Sequence, residues 1–180
     1  MKVVSIVGMA GSGKSEVAGM FEKEGYKRVR FGDITDGEIR KRGLALNEEN
    51  ERRIRQQLRE EHGMAAYARL NLPGIDALLE SSNVVVDGLY SWEEYILLKD
   101  RYGDRFNVVA VWSSPAVRHA RLGCRANRPL TAEEAAGRDR SEIENINKGG
   151  PIAMAEFTII NESSVEDLER ETKGVLDALK

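Results

Sequence analysis

Gly8-Met9-Ala10-Gly11-Ser12-Gly13-Lys14-Ser15 matches the pattern G-x-x-x-x-G-K-[ST], which builds phosphate-binding loops, or P-loops. An ordinary glycine-rich turn can carry the same letters, so the flanking residues matter. The β-branched run from Val3 to Val7 precedes the loop and is typical of a buried strand. Residues Glu16 to Glu24 follow it with helical spacing of their apolar side chains. Strand, loop and helix in this order predict binding of a nucleoside triphosphate.

Each residue type in this loop has a physical role in holding phosphate. Gly8, Gly11 and Gly13 allow the backbone to turn tightly and to direct several N–H groups at one anion. Lys14 is predicted to reach the β- and γ-phosphates of ATP, and the Ser15 hydroxyl to ligate Mg²⁺. ATP and GTP are both compatible with the loop. The predicted nucleotide-binding residues are Gly8, Ala10, Gly11, Ser12, Gly13, Lys14, Ser15 and Glu16.

Composition narrows the classes of protein that this chain can represent. Its 180 residues predict one domain that spans residues 1–180, and a net charge of −3 argues against nucleic acid as the main partner. Cys124 is the only cysteine, and His62 and His119 are the only histidines, so neither a disulfide nor a zinc cluster is expected. The first apolar run is too short for a secretory leader, and no stretch approaches a membrane span. We therefore expect a cytoplasmic protein without a membrane partner.

Strand and helix patterns alternate along the rest of the chain. Strand-like runs follow at residues 26–31, 83–88, 106–112 and 157–160. With Val3–Val7 they predict a five-stranded parallel sheet covered by helices on both faces, a three-layer α/β/α sandwich of the P-loop NTPase class. The first strand should be central, and ligands should bind at the carboxyl ends of the strands.

Capping residues and helix breakers set the expected helix boundaries. Capping-box spacings occur at Thr35/Glu38, Ser91/Glu94, Thr131/Glu134 and Ser164/Asp167, and Asn47 is a good N-cap. The helical pattern from Asn47 to about Leu79 is expected to break or kink at Pro73-Gly74. The helix that begins at Thr131 is expected to run to about Lys148, where Gly149-Gly150-Pro151 would stop it.

Two acids follow predicted strands, at the edge where the ligand should bind. Asp87 ends the run Val84-Val85-Val86, the usual place of an acid that holds Mg²⁺ beside a P-loop. Asp33 follows the second strand and is predicted to orient the acceptor group and accept its proton. The structural alternative for both acids is a cap on the turn or helix that follows.

Arginines are concentrated in two parts of the chain. The first group is Arg118, Arg121, Arg125, Arg128, Arg138 and Arg140. It predicts a lid over about residues 122–148, because guanidinium groups neutralise the charge of a transferring phosphoryl group; Arg125 and Arg138 are the catalytic candidates. A solvated helical face is the alternative. For the second group, Arg52, Arg53, Arg55 and Arg59, the solvated face is the preferred interpretation over phosphate binding.

The chain resembles the P-loop nucleotide kinases, meaning adenylate kinase-like enzymes and dephospho-coenzyme A kinases. Besides the P-loop, Phe31-Gly32-Asp33 and Val86-Asp87-Gly88 are similar to the acidic segments that end the second and third strands of that group. Residues 121–125 resemble the entry of its lid, and residues 155–161 its last strand. The resemblance implies that Arg121 packs on the ATP base, Arg125 contacts phosphates and Asn161 lies near the base pocket. The expected arginine after Asp87-Gly88 is absent, and Leu89-Tyr90-Ser91-Trp92 stands there instead.

These observations predict an ATP- and Mg²⁺-dependent phosphotransferase. Its acceptor is expected to be a nucleotide-like small molecule, such as a nucleoside monophosphate or dephospho-CoA, bound by a helical region over about residues 33–82. A regulatory NTPase with a protein partner is one alternative. An RNA or polynucleotide kinase is another, with the basic segments Lys27–Arg30 and Arg52–Arg59 as phosphate contacts.

Overall fold

A computed structural model describes residues 1–126 and 129–180; Arg128, one of the candidate lid arginines, lies outside them. Within this part of the chain five parallel strands form one sheet, in the order β2-β3-β1-β4-β5. The strands are β1 (Val3–Val7), β2 (Lys27–Arg30), β3 (Val84–Asp87), β4 (Phe106–Trp112) and β5 (Phe157–Ile160). The helices are α1 (Lys14–Lys23), α2 (Asp33–Lys41), α3 (Glu48–His62), α4 (Ala66–Leu79), α5 (Trp92–Tyr102), α6 (Pro115–Gly123), α7 (Ala132–Glu144), α8 (Gly149–Ala153) and α9 (Val165–Ala178).

The central strand is the one that leads into the P-loop. Every residue of β1 is buried, and β1 pairs with β3 on one side and β4 on the other. A strand in this position contacts helices on both faces, which is why its sequence is continuously apolar apart from Ser5. The predicted fold class and the central place of this strand are confirmed.

Two hydrophobic cores cover the two faces of the sheet. One contains Phe31, Tyr67 of α4 and Leu98 of α5, together with Val3 and Val7 of β1. The other is formed by alternate residues of β1 with side chains of α1 and α9; its helical members include Val17, Phe21, Leu168 and Leu176. No helix in residues 1–126 or 129–180 is long and apolar enough to cross a bilayer.

Most of the predicted helix starts are present, and one is wrong. Ser91 and Thr131 form complete capping boxes with Glu94 and Glu134, whose carboxylates accept hydrogen bonds from the N-cap N–H groups. Thr35 does not begin α2, because the helix already starts at Asp33. Thr35 is buried within the helix, and its Oγ1 lies 2.6 Å from the hydroxyl of Tyr67. The Thr35 hydroxyl therefore joins α2 to α4 and does not cap α2.

The predicted break at Pro73-Gly74 is also wrong. The helical stretch is divided at Gly63, whose φ of 79° ends α3, and Pro73 lies inside α4. A proline here leaves the carbonyl of Arg69 without its usual helical N–H donor. Burial of Tyr67 and Ile75 on the same helix offsets that loss.

The region after α7 departs from expectation as well. The helix ends at Glu144 rather than near Lys148, and Gly149-Gly150-Pro151 begins α8 instead of stopping a helix. Proline favours the first turn of a helix, where its missing N–H has no partner to lose. The intervening turn places Asn147 at a φ of 52°.

Candidate active site

Close packing around its glycines fixes the shape of the P-loop. Gly8, Gly11 and Gly13 have φ values of 151°, 81° and 96°. A Cβ on Gly8 would lie 2.3 Å from the carbonyl oxygen of Val111, and one on Gly13 would lie 2.2 Å from Nδ2 of Asn161. The loop thus packs against the backbone of Val111 and the side chain of Asn161 where an added side chain would not fit, and α1 begins at once with Lys14. The loop and the helix N-terminus provide the N–H groups that favour a phosphate.

Polar side chains that follow β4 and β5, at the same edge of the sheet, support the loop. Nδ2 of Asn161 donates to the Ser12 carbonyl at 2.9 Å, and the Ser113 hydroxyl donates to the Asn161 carbonyl at 2.6 Å. The guanidinium of Arg121 donates to the Asn161 carbonyl at 3.0 Å and to the Ser113 hydroxyl at 3.1 Å. Asn161 is therefore brought to the loop itself, and Arg121 to the residues that support the loop. Contact of either with the ATP base stays a prediction.

Lys14 points back along the loop, and both cations and carboxylates lie near its ammonium. Its Nζ donates to the carbonyl of Met9 at 2.9 Å. Burial, followed by the charge of Lys148, lowers the pKa of Lys14 to about 7, although Glu142 and Asp87 act in the opposite direction. A phosphate near this ammonium would favour its charged form.

Asp87 is the buried acid of the site. Its Oδ2 accepts a hydrogen bond from the Ser15 hydroxyl at 3.2 Å and another from the Arg28 guanidinium. A hydroxyl next to a carboxylate fits Mg²⁺, which prefers oxygen ligands and completes its shell with phosphate oxygens and water. Among the described residues no group of three or more acids, histidines and cysteines gathers to hold a metal. A metal here would thus rely on Ser15, Asp87 and the bound phosphates.

A cavity of about 1140 Å³ extends from the P-loop across α2, α3 and α4 to α7. Its P-loop end is lined by Ala10, Gly11, Lys14, Ser15 and Asp87. Its other walls come from α2, α3, α4, Arg125 and residues between 130 and 148. This volume slightly exceeds that of a pocket for one drug-sized ligand, which is roughly 300–1000 Å³.

Asp33 lies at the mouth of this cavity rather than on its wall. Its side chain is 63% exposed and pairs with Arg30 at 2.9 Å. Asp36, one turn later on α2, pairs with the same guanidinium at 3.2 Å. Of the two acids, Asp36 is the one that lines the cavity, together with Arg30. The catalytic role assigned to Asp33 remains a prediction.

Three of the four arginines of α3 line the cavity, in contrast to the preferred interpretation as a solvated face, whereas Arg53 is exposed. Arg52, Arg55 and Arg59 line it, at a spacing that places them on one side of the helix. Arg55 pairs with Glu48 and Glu51 at 2.6 and 3.1 Å. Arg59 lies 5.3 Å from the ring centroid of Tyr67, and its buried Nε has no hydrogen-bond partner within residues 1–126 and 129–180.

The candidate lid arginines separate into structural and cavity-facing members. Arg118 is buried and forms a bidentate pair with Asp139 at 2.7 Å, which joins α6 to α7, and it also donates to the Ala10 carbonyl. Arg125 and Arg138 line the cavity. Burial and the neighbouring charge of Arg138 lower the pKa of Arg125, while Glu16 raises it. Arg140 is exposed and pairs with Glu144.

Sequence reasoning missed two charged residues of the cavity. Lys148 is 1% exposed, and its Nζ lies 2.8 Å from Oε2 of Glu142. Both residues line the cavity with Lys14. They stand outside any motif, and the only available signal was a lysine immediately before Gly149-Gly150-Pro151, at a predicted break.

The comparisons with known proteins agree with this architecture. A UPF0200 protein from Thermococcus kodakarensis is 38% identical over 98% of this chain and 97% of its own length. The chain belongs to the UPF0200 family. It also belongs to the family described as AAA domain, whose model matches residues 4–146.

Solved structures extend the UPF0200 comparison to the level of the fold. The alignment with the crystal structure of TT1252 from Thermus thermophilus covers 99% of this chain and 98% of the TT1252 chain, with a TM-score of 0.65 and 23% identity. The alignment with shikimate kinase from Acinetobacter baumannii in complex with shikimate covers 99% of this chain and 93% of that chain, with a TM-score of 0.60 and 16% identity. The resemblance to P-loop kinases is confirmed, and the chain has their fold.

Proposed function

We propose that this protein is an ATP- and Mg²⁺-dependent phosphotransferase that acts on a nucleotide-like small molecule, such as a nucleoside monophosphate or dephospho-CoA. The observation that carries the proposal is the shared cavity. In it Lys14 and Ser15 of the P-loop face a wall that contains Arg52 and Arg59. A phosphate donor and an anionic acceptor would meet there.

The acceptor class follows from the charges on α3. Arg55 is neutralised by two glutamates, whereas no carboxylate of the described residues lies within ion-pair distance of Arg52 or Arg59. Unpaired guanidinium groups in a concave site attract phosphate, which they bind in a bidentate manner. Arg59 also lies over the ring of the fully buried Tyr67, and this contact helps to orient its guanidinium at the cavity wall.

We assign residues 33–82 to acceptor binding and residues 122–148 to a lid. Arg125 and Arg138 of the lid would neutralise the transferring phosphoryl group. Asp33 would orient the acceptor at the mouth of the cavity, and Asp36 has the same chemistry on the wall.

The chain's own groups account for binding and for charge neutralisation. Lys14 and the P-loop N–H groups would bind the β- and γ-phosphates of ATP. Ser15 and Asp87 would hold Mg²⁺, which would neutralise the negative charge of the phosphate oxygens. An acceptor oxygen bonds to the γ-phosphorus while the bond from that phosphorus to the β–γ bridging oxygen breaks. ADP keeps the electron pair, and a hydroxyl acceptor gives up its proton to a carboxylate or to water.

A coupled assay of ADP release tests the proposal. ATP and Mg²⁺ would be offered with AMP, CMP, UMP, GMP, dephospho-CoA and nucleosides, and Lys14→Ala would serve as the blank. The expected result is acceptor-dependent release that disappears in the variant. Slow release that no acceptor accelerates would instead indicate a regulatory NTPase. Activity retained in Lys14→Ala would contradict the proposed mechanism.

A further inference from the structure

A compact charge cluster lies between the P-loop and α7. The carboxylate of Glu142 is approached by Nζ of Lys148 at 2.8 Å and by Nε of Arg138 at 3.3 Å. These three residues line the cavity together with Lys14. Three cations thus surround one carboxylate beside the loop that receives phosphate.

Burial makes the pair between Lys148 and Glu142 unusual. The side chain of Lys148 is 1% exposed and that of Glu142 is 12% exposed. Although burial alone would raise it, Lys148, Arg138 and Lys14 lower the pKa of Glu142 to about 2. A buried ion pair is weak evidence for stability, because desolvation offsets much of its attraction. This cluster therefore calls for a role other than holding the fold together.

The backbone before Lys148 is shaped to turn its side chain inward. Asn147 has a φ of 52°, a left-handed conformation that asparagine adopts more readily than most residues. The N–H of Lys148 donates to the carbonyl of Glu142 at 3.1 Å, which closes the turn. The ammonium then lies 5.4 Å from the ring centroid of Tyr90. Such a conformation, kept beside a cavity, is typical of a functional position.

We propose that Lys148 is a catalytic residue that contacts the transferring phosphoryl group, and that Glu142 is the positioning residue that holds its ammonium in the cavity. The inference rests on the proposed function. As the acceptor oxygen bonds to the γ-phosphorus and the bond to the β–γ bridging oxygen breaks, Lys148 neutralises the charge on the oxygens in transfer. Lys148 keeps its proton throughout, and ADP keeps the bridging electron pair.

The position of Lys148 relative to Lys14 supports this role. Apart from burial, Lys148 is the largest influence that lowers the pKa of Lys14, so the two ammonium groups repel each other. A phosphoryl group between them converts that repulsion into two attractions. The gain is largest where the phosphoryl charge is most spread, in the transition state.

A double-variant experiment separates catalysis from structure. Lys148→Met and Glu142→Gln would be compared with the double variant and with Lys173→Met, an exposed control on α9. Glu142→Gln leaves the buried ammonium of Lys148 without its partner and is expected to lower Tm, whereas the double variant recovers it. Lys148→Met is expected to lower Tm less, because Glu142 keeps its pair with Arg138. For a catalytic lysine the double variant still loses about a hundredfold in kcat, with KM for ATP nearly unchanged. Recovery of both Tm and kcat would mean a purely structural pair.

Binding of a transition-state mimic provides a second readout. The double variant is expected to bind ADP like the wild type and to bind ADP with aluminium fluoride at least about tenfold more weakly. Lys148→Arg should regain part of that binding. Equal affinities for the mimic would overturn the inference while leaving the kinase proposal intact. If the wild-type protein transfers phosphate to no acceptor, the proposed function fails, and this inference fails with it.

Discussion

Lys14 and Lys148 line the same cavity, yet the chain brings them there by opposite means. Lys14 belongs to eight consecutive residues, and its Nζ is held by the carbonyl of Met9 within the same loop. Lys148 depends on Glu142 and on the left-handed Asn147, and its ammonium lies over the ring of Tyr90, far away in sequence. One lysine is positioned by a local motif and the other by tertiary contacts.

The comparison explains which parts of a site a sequence reveals. A P-loop binds phosphate mainly through backbone N–H groups, so its glycines and its single lysine must follow one another at fixed spacing. A side-chain cluster needs only that its members meet in space. The cluster around Glu142 therefore leaves no pattern in the sequence.

The strongest way to break the P-loop side of this comparison is Lys14→Met. Turnover should fall by a factor of about a thousand or more, because the variant loses the cation on the β- and γ-phosphates. The same variant should have a higher Tm. The pKa of Lys14 is lowered from 10.5 to about 7, so the folded state disfavours the charged form.

The sign of that stability effect gives a control. In the unfolded chain Lys14 is charged up to pH 10.5, and in the folded protein only up to about pH 7. The gain in Tm over the wild type is expected to be greatest below pH 7 and to disappear as the pH approaches 10.5. Thermal unfolding of both proteins across this range measures it. A variant less stable than the wild type at pH 6 would contradict the assignment.

Arg125→Ala sharpens the comparison on the lid side. Arg125 lines the cavity and lies near the charges of Arg138 and Glu16. We expect kcat to fall about a hundredfold while the Kd for ATP changes little, because a lid cation acts chiefly in the transition state. Arg140→Ala is the matched control, since Arg140 is exposed and pairs with Glu144. Loss of ATP affinity in step with kcat would assign Arg125 to ground-state binding.

Arg59→Ala tests the acceptor wall. The KM for the acceptor should rise by about tenfold to a hundredfold, with a smaller change in KM for ATP, because a charge-assisted hydrogen bond contributes about 1.5–3 kcal/mol. Arg53→Ala on the same helix is the control: Arg53 is exposed and donates to Asn50. Steady-state kinetics with each substrate varied in turn would reveal the difference. Equal effects of the two substitutions would remove α3 from the acceptor site.

The smallest expected effect concerns Glu94, which caps α5 from a fully buried position. Burial raises its pKa from 4.5 to about 7, although hydrogen bonds from the N–H groups of Tyr90 and Ser91 and the charge of Arg59 oppose the shift. The proton is thus held more tightly in the folded state. This carboxyl contributes most stability below pH 4.5, and the contribution is lost as the pH rises through 7.

Glu94→Gln keeps an acceptor for the capping hydrogen bonds but does not titrate. The difference in Tm between variant and wild type should therefore shift in favour of the variant by a few degrees between pH 5 and pH 8. Thermal unfolding at the two pH values measures this shift. A pH-independent difference would mean that Glu94 keeps the same protonation state in the folded and unfolded chains.

The same contrast between local and tertiary signals runs through the fold. Val3–Val7 and the capping boxes at Ser91 and Thr131 were predicted correctly, because burial of a parallel strand and helix capping act over a few residues. The helix break predicted at Pro73 does not occur, because packing of α4 against the sheet outweighs the local preference of proline.

The candidate site shows this limit even more clearly. Asp87 follows an apolar run and lies beside Ser15, as the sequence predicts for neighbouring strand ends. From the sequence, the arginines of α3 are interpreted as a solvated face, because nothing in their spacing indicates that other helices enclose a cavity beside them. Arg118 was counted with the lid, and only its bidentate contact with Asp139 identifies it as structural.

The hydrogen bond from Asn161 to the Ser12 carbonyl has a consequence for synthesis of the chain. The P-loop follows β1 and is translated long before its support, which follows β5. A ribosome-bound chain that ends before Asn161 contains the complete P-loop sequence but lacks the side-chain amide of Asn161 that holds the loop in place. Nucleotide binding should then appear late, as a sign that the last strand has docked.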